Sequence, residues 1–134
     1  MQVILRAIVL LTLMWPVQAT ADEAAAREVI QSQLDAFQRD DFEEAFTYAS
    51  PTIKGLFGTP DRFGQMVMNG YPMIWRPSAS RFGVGEPDGD AWIQRVIFED
   101  LRGRTHVAEY TLIETDEGWQ INGVTLLPNT GVGT

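Results

Sequence analysis

Across residues 24–39 the apolar positions Ala26, Ile30, Leu34 and Phe37 recur at helical spacing, and Arg27, Gln31, Asp35 and Gln38 fall on the other side. That pattern predicts an amphipathic helix. Asp40 followed by Glu43 reads as a capping box that opens a short second helix with Phe42, Ala45, Phe46 and Ala49 on one stripe. Ser50-Pro51 then supplies an N-cap and a proline at the first helical position. Ile53, Leu56 and Phe57 form one apolar turn, closed by Gly58. Thr59-Pro60 repeats the start signal, Phe63, Met66 and Val67 make the next stripe, and Gly70 is the expected stop.

After Pro77 the period changes. Segments 92–99, 105–113 and 119–126 are rich in β-branched and aromatic residues, and 80–85 is a weaker segment of the same kind. Pro87-Asp88-Gly89, Arg102-Gly103 and Asp116-Glu117-Gly118 mark turns between them. Short turns join antiparallel strands, because parallel ones need long crossovers. Helices first and an antiparallel meander after is an α+β plan.

Alternation sorts the strand faces. Trp92, Gln94, Val96 and Phe98 share one side, His106, Ala108, Tyr110 and Leu112 another, and Trp119 and Ile121 begin a third. These aromatic-bearing sets are expected against the helices. The opposite face holds Ile93, Arg95, Ile97, Val107, Glu109, Ile113, Val124 and Leu126. If Glu99 pairs with Thr105, Arg95 stands opposite Glu109 as a cross-strand ion pair. The inner face mixes aromatics with Gln94, His106 and Tyr110. That suits an apolar cavity with a few convergent polar groups, and equally a core whose polar groups find partners. The outer face is apolar enough to suggest sheet-to-sheet dimerisation through Ile93, Ile97, Val107, Val124 and Leu126, or cover by the C-terminal tail.

The chain begins MQVILRAIVLLTLMWPVQATADEAA. One cation, an apolar run broken by Pro16, and Ala19-Thr20-Ala21 follow the plan of a cleavable secretory leader. The run is shorter than the roughly 20 residues a spanning helix needs. Cleavage is expected after Ala21, giving a periplasmic or secreted product: leader 1–21, one domain over 22–127 and a flexible tail over 128–134. The full chain of 134 residues carries a net charge of −8. Acidity argues against nucleic acid and against an anionic membrane surface. With no cysteine and one histidine, thiol chemistry, cysteine-held metals and multi-imidazole zinc sites are excluded. No serine elbow, phosphate loop, EF-hand or HExxH pattern occurs. No cofactor is expected.

The stretches ASPTIKGLFGTPDRFGQMV, GYPMIWRP and HVAEYTLIETDEGWQINGV resemble a family of small exported bacterial proteins, domain-of-unknown-function family 4864. That family is similar to the nuclear-transport-factor-2-like (SnoaL-like, cystatin-like) superfamily, whose cone-shaped fold wraps a curved antiparallel sheet around a helix. The resemblance implies the fold. It implies no catalytic residues, because the superfamily holds ketosteroid-isomerase-like and polyketide-cyclase-like enzymes beside many non-catalytic domains. In one departure, no early hairpin is legible between the helices, which leaves the cone open or short on one side.

The candidate pocket comprises Phe63, Trp75, Arg76, Gln94, His106 and Tyr110. Within GYPMIWRPS the prolines at 72 and 77 disfavour helix at their predecessors, so the chain is expected to run extended. Trp75 would then enter the mouth of the cone beside Phe63 and Tyr110, with Arg76 at the rim. An isomerase-like site needs a carboxylate base and a donor for the enolate. Tyr110 and Gln94 could donate, yet no Asp or Glu falls on the inner face, and His106 has no orienting acid in view. The reading is a non-catalytic domain binding a small apolar or weakly acidic ligand or a protein partner. Its alternatives are a ketosteroid-isomerase-like or polyketide-cyclase-like enzyme, and a structural homodimer without ligand.

Overall fold

The computed structural model describes residues 17–128, with Val3 and Thr12. Most of the expected leader and tail therefore lies outside the described residues. Five helices precede four strands: α1 (Val17–Gln38), α2 (Phe42–Thr47), α3 (Pro51–Phe57), α4 (Pro60–Gly70), α5 (Pro72–Trp75), β1 (Ala79–Asp88), β2 (Ala91–Glu99), β3 (Thr105–Thr115) and β4 (Gly118–Leu126). The predicted stripe of α1 is the one that packs on the sheet: Ala26, Ile30, Leu34 and Phe37 are all buried.

Helix α1 ends in a double hydrogen-bonded turn. The Asp40 N–H donates to the Phe37 carbonyl at 3.1 Å and the Asp41 N–H to the Ala36 carbonyl at 2.9 Å. Asp40 takes the left-handed position, φ 53°, one of the few side chains that tolerates it. Asp40 is thus the stop of α1 and not the cap of α2. Asp41 is the cap, its Oδ1 accepting from the Glu44 N–H at 3.1 Å, and Glu44 pairs with Arg39 rather than closing a capping box. Ser50 and Thr59 cap α3 and α4 as expected, accepting from the N–H groups of Ile53 and Arg62. Gly64 lets α4 approach α2, since a Cβ there would sit 2.7 Å from the Phe42 ring.

The stretch 70–78 does not run extended. Pro72 opens a helical turn in which the N–H groups of Ile74 and Trp75 donate to the Tyr71 carbonyl at 2.9 and 3.0 Å. Proline restrains the residue before it, and Tyr71 is indeed non-helical (φ −134°, ψ 52°). The same ring is preorganised for the first helical position, and that effect governs residues 72–75. Alternation is lost, so Ile74 is buried and Trp75 is only half-buried.

The sheet is antiparallel in the order β1-β2-β3-β4. Glu99 pairs with Thr105 and Arg95 with Glu109, whose side chains meet at 3.4 Å. Two irregularities bend it. In β4, Thr111 faces Gly123 while Leu112 faces Ile121, so Asn122 is an extra residue. A one-residue insertion inverts the alternation beyond it. Val124 and Leu126 therefore stand beside Tyr110 and Ala108 and pack on the core, not on the outer face where strict alternation puts them. In β1, pairing slips between Phe82 and Gly85. One edge of the sheet is covered: Ala49 bridges Ile121 in parallel, with the Ser50 N–H donating to the Ile121 carbonyl and the Ile121 N–H to the Tyr48 carbonyl, both at 2.8 Å. β1, which carries Pro87, is the other edge.

Candidate functional site

A cavity of about 290 Å³ lies between the helices and the inner face of β3 and β4. Its walls come from α1 (Gln33, Phe37), α3 (Ile53, Leu56, Phe57), α4 (Phe63, Met66, Val67), the α5 turn (Tyr71, Ile74) and the strands (Tyr110, Ile121, Val124). Phe63 is held in a cluster of rings, with centroids 5.3 Å from Phe46, 5.9 Å from Phe57 and 6.1 Å from Phe37. At the mouth, α3 contains no buried residue, and Leu56 is 72% exposed.

Tyr110 is the polar feature of this cavity. It is 0% exposed, and its hydroxyl has no hydrogen-bond partner among the described residues. Burial pushes the phenol above its ordinary value, so it stays neutral and keeps a proton to donate. An unpaired hydroxyl in an apolar setting costs about 1–3 kcal/mol. Gln33, the other buried polar side chain of the wall, donates its Nε2 to the Ala45 carbonyl at 3.2 Å. No Asp, Glu, Lys, Arg or His is among the lining residues. Besides the Tyr71 phenol and the Gln33 amide, the cavity thus presents the Tyr110 hydroxyl as a fully buried, unpaired donor in largely apolar surroundings, and its lining holds no carboxylate or imidazole to act as the base of an enolisation.

Only two of the six expected pocket residues, Phe63 and Tyr110, meet in this cavity. Gln94 does not reach it. That side chain is fully buried and fully used: Nε2 donates to the carbonyls of Gly83 at 3.0 Å and Arg95 at 3.1 Å, while Oε1 accepts from Trp92 Nε1 at 3.1 Å. It ties down the bulge of β1. A Cβ on Gly85 would overlap Gln94 Oε1 and stand 3.0 Å from the Trp92 ring.

Trp75 and Arg76 are also elsewhere. Arg76 is not a free cation at the rim. Its Nη1 donates to the carbonyls of Phe37 at 3.0 Å and Gln38 at 2.9 Å, and its Nη2 to Asp40 at 2.8 Å. Trp75 Nε1 donates to the same Asp40 oxygen at 2.9 Å, and the Arg76 guanidinium lies 4.8 Å from the Trp75 ring centroid. The pair clamps the carbonyl end of α1, where cations are favoured. His106 does have an acid partner, Asp100, with Nε2 and Oδ2 2.8 Å apart. The loop between β2 and β3 folds Asp100 back across its own N–H donors at Arg102 and Arg104. The His106 hydrogen bond first, and the Arg104 and Arg102 N–H groups with it, hold the Asp100 carboxyl at about 2. Trp75, Arg76, His106 and Asp100 together line a separate cleft beside α5.

Pattern reading missed Tyr71, Ile74, Ile53 and Val124 as wall residues. Pro72 at a helix start is the signal for the first two, the apolar stripe of α3 for the third, and the dipeptide Asn122-Gly123, typical of chain irregularity, for the last.

Solved structures share this architecture. A domain of unknown function with a cystatin-like fold from Nostoc punctiforme PCC 73102 is 18% identical, covering 80% of this chain and 76% of that one, with a TM-score of 0.55. An NTF2-like protein of unknown function from Shewanella baltica OS155 is 16% identical over 86% of this chain and 98% of its own, TM-score 0.55. Another from Shewanella oneidensis MR-1 is 16% identical over 80% and 97%, TM-score 0.51. At such identities the likeness concerns the fold alone. No curated protein matches the sequence. Residues 19–134 match the family described as a domain of unknown function, DUF4864, and with helices packed on an open four-stranded NTF2-like sheet the chain belongs to that family.

Proposed function

We propose that this protein is an exported, non-catalytic binding domain whose cavity takes a small, neutral, largely apolar molecule bearing one hydrogen-bond acceptor. The single observation that carries the reading is the Tyr110 hydroxyl, buried and unpaired in a largely apolar cavity. A ligand carbonyl or ether oxygen meeting it would remove the cost of the unpaired donor. The volume lies at the lower end of ligand cavities, roughly 300–1,000 Å³, which favours a compact molecule. A charged ligand would meet no counter-ion in the wall. Native mass spectrometry of protein purified from the cell envelope, with thermal shifts against a panel of steroid-like and polyketide-like ketones, tests this. A retained small molecule, or a ketone that raises the melting temperature and is recovered unchanged, supports binding. Turnover of a ketone would restore the enzyme alternative, and an empty mass with no shift the purely structural one.

Export is supported by the leader pattern of residues 1–21. Pairing of two copies across the outer sheet face is proposed on Ile93, Ile97 and Val107, three half-buried residues that stand away from the core.

A further inference from the structure

Trp75 and His106, both expected in one pocket with Tyr110, come together in the other cleft, of about 400 Å³, between α5 and the loop joining β2 to β3. Its walls are largely apolar: Met73 and the Trp75 ring on one side, and Leu101, 76% exposed, on the other. Arg102 and Arg104 flank Leu101 along the same wall.

The charges around this cleft are unevenly used. Asp100, the acid of the lining, has its carboxylate occupied by the N–H groups of Arg102 and Arg104, both at 2.9 Å, and by His106. Arg76 is neutralised by Asp40. Glu99 turns its carboxylate toward the loop, with Oε1 3.8 Å from where a Cβ on Gly103 would stand, without forming an ion pair to either neighbouring arginine among the described residues. The guanidinium groups of Arg102 and Arg104 have no partner among the described residues. Two unpaired cations thus border an apolar cleft on a protein whose net charge is −8.

The loop that carries them is held fixed. Besides the two bonds to the Asp100 side chain, the Gly103 N–H donates to the Asp100 carbonyl at 3.0 Å and the Asp100 N–H to the Arg104 carbonyl at 2.8 Å. The loop backbone is therefore ordered before any ligand arrives, which lowers the cost of binding to that of fixing the two arginine side chains. Guanidinium groups match carboxylates in a two-point geometry, while a body of rings or methylenes suits Met73, Leu101 and the Trp75 ring. We infer that this cleft is a second binding site, for a small organic carboxylate with an apolar body, separate from the cavity of Tyr110.

The test is an NMR titration of the whole protein with 4-phenylbutyrate, its uncharged amide and inorganic phosphate. Phenylbutyrate is expected to shift the amides of Leu101 to Arg104 and the Trp75 indole N–H while leaving Phe63 and Tyr110 unmoved. The amide and phosphate should each bind roughly tenfold more weakly or not at all, as each lacks one half of the recognition. The exposed double change R102Q/R104Q should weaken phenylbutyrate about five- to tenfold with an unchanged unfolding midpoint. Shifts confined to the cavity, equal binding of the amide or of phosphate, or full affinity in R102Q/R104Q would each overturn the assignment.

Discussion

A hydroxyl that folding leaves unpaired is a stability cost, and Tyr110 is where that cost can be measured. Tyr110→Phe keeps the ring that packs against the core and removes the unpaired group. The expected outcome in urea is an unfolding midpoint equal to or above the parent, by up to about 1–2 kcal/mol. Affinity for any ketone that binds the parent should fall about tenfold. A midpoint clearly below the parent would mean the hydroxyl already has a partner. Asp100 makes a second residue-scale prediction. Its folded value of about 2 lies below its ordinary 3.8. Its contribution to stability is therefore present above pH 3.8 and lost as pH falls through about 2. In His106→Gln the Asp100 carboxyl resonance should titrate at higher pH, toward its ordinary value. What alternation could read at this scale was which face a residue joins. It could not read that Gln94 spends its donors on the carbonyls of Gly83 and Arg95, or that His106 meets Asp100, because those partners come from loop and bulge geometry.

Among the elements, the clamp of α5 on α1 governs more than its four residues suggest. Arg76 binds two terminal carbonyls of α1 and the carboxylate of its stop residue. Arg76→Ala should destabilise by about 1–3 kcal/mol, and Arg76→Lys should recover only part, since an ammonium cannot reproduce the fork. Denaturant midpoints decide this, and an unchanged Arg76→Ala would return Arg76 to the free rim. At the α2–α4 crossing, Gly64→Ala gains helix propensity worth about 1 kcal/mol. It also drives a methyl into the Phe42 ring at 2.7 Å. Overpacking of that order costs about 1–3 kcal/mol, so a net loss is expected, checked by thermal unfolding. The long elements were legible because their periods are strong. α5 and the Asn122 bulge were not: four residues hold too little periodicity to register, and one inserted residue leaves composition untouched while turning Val124 and Leu126 inward.

For the molecule as a whole, helices before a four-stranded meander and the register of β2 on β3 followed from pattern. The cavity did not, since its lining draws at once on α1, α3, α4, the α5 turn and two strands, a combination that no single segment encodes. Ile97→Lys with Val107→Lys places two charges on the outer face. If copies pair there, sedimentation should change from dimer to monomer, and a monomer before and after would end the idea. The bridge between Ala49 and Ile121 bears on that question from another direction. It occupies the outward backbone groups of Ile121, midway along the rim of β4, and on the far rim the irregular pairing and Pro87 of β1 present a poor template. Fibrils that grow by adding strands would have to strip residues 48–50 from β4 first. One short segment between two helices thus stands in the way of strand-on-strand growth at that rim.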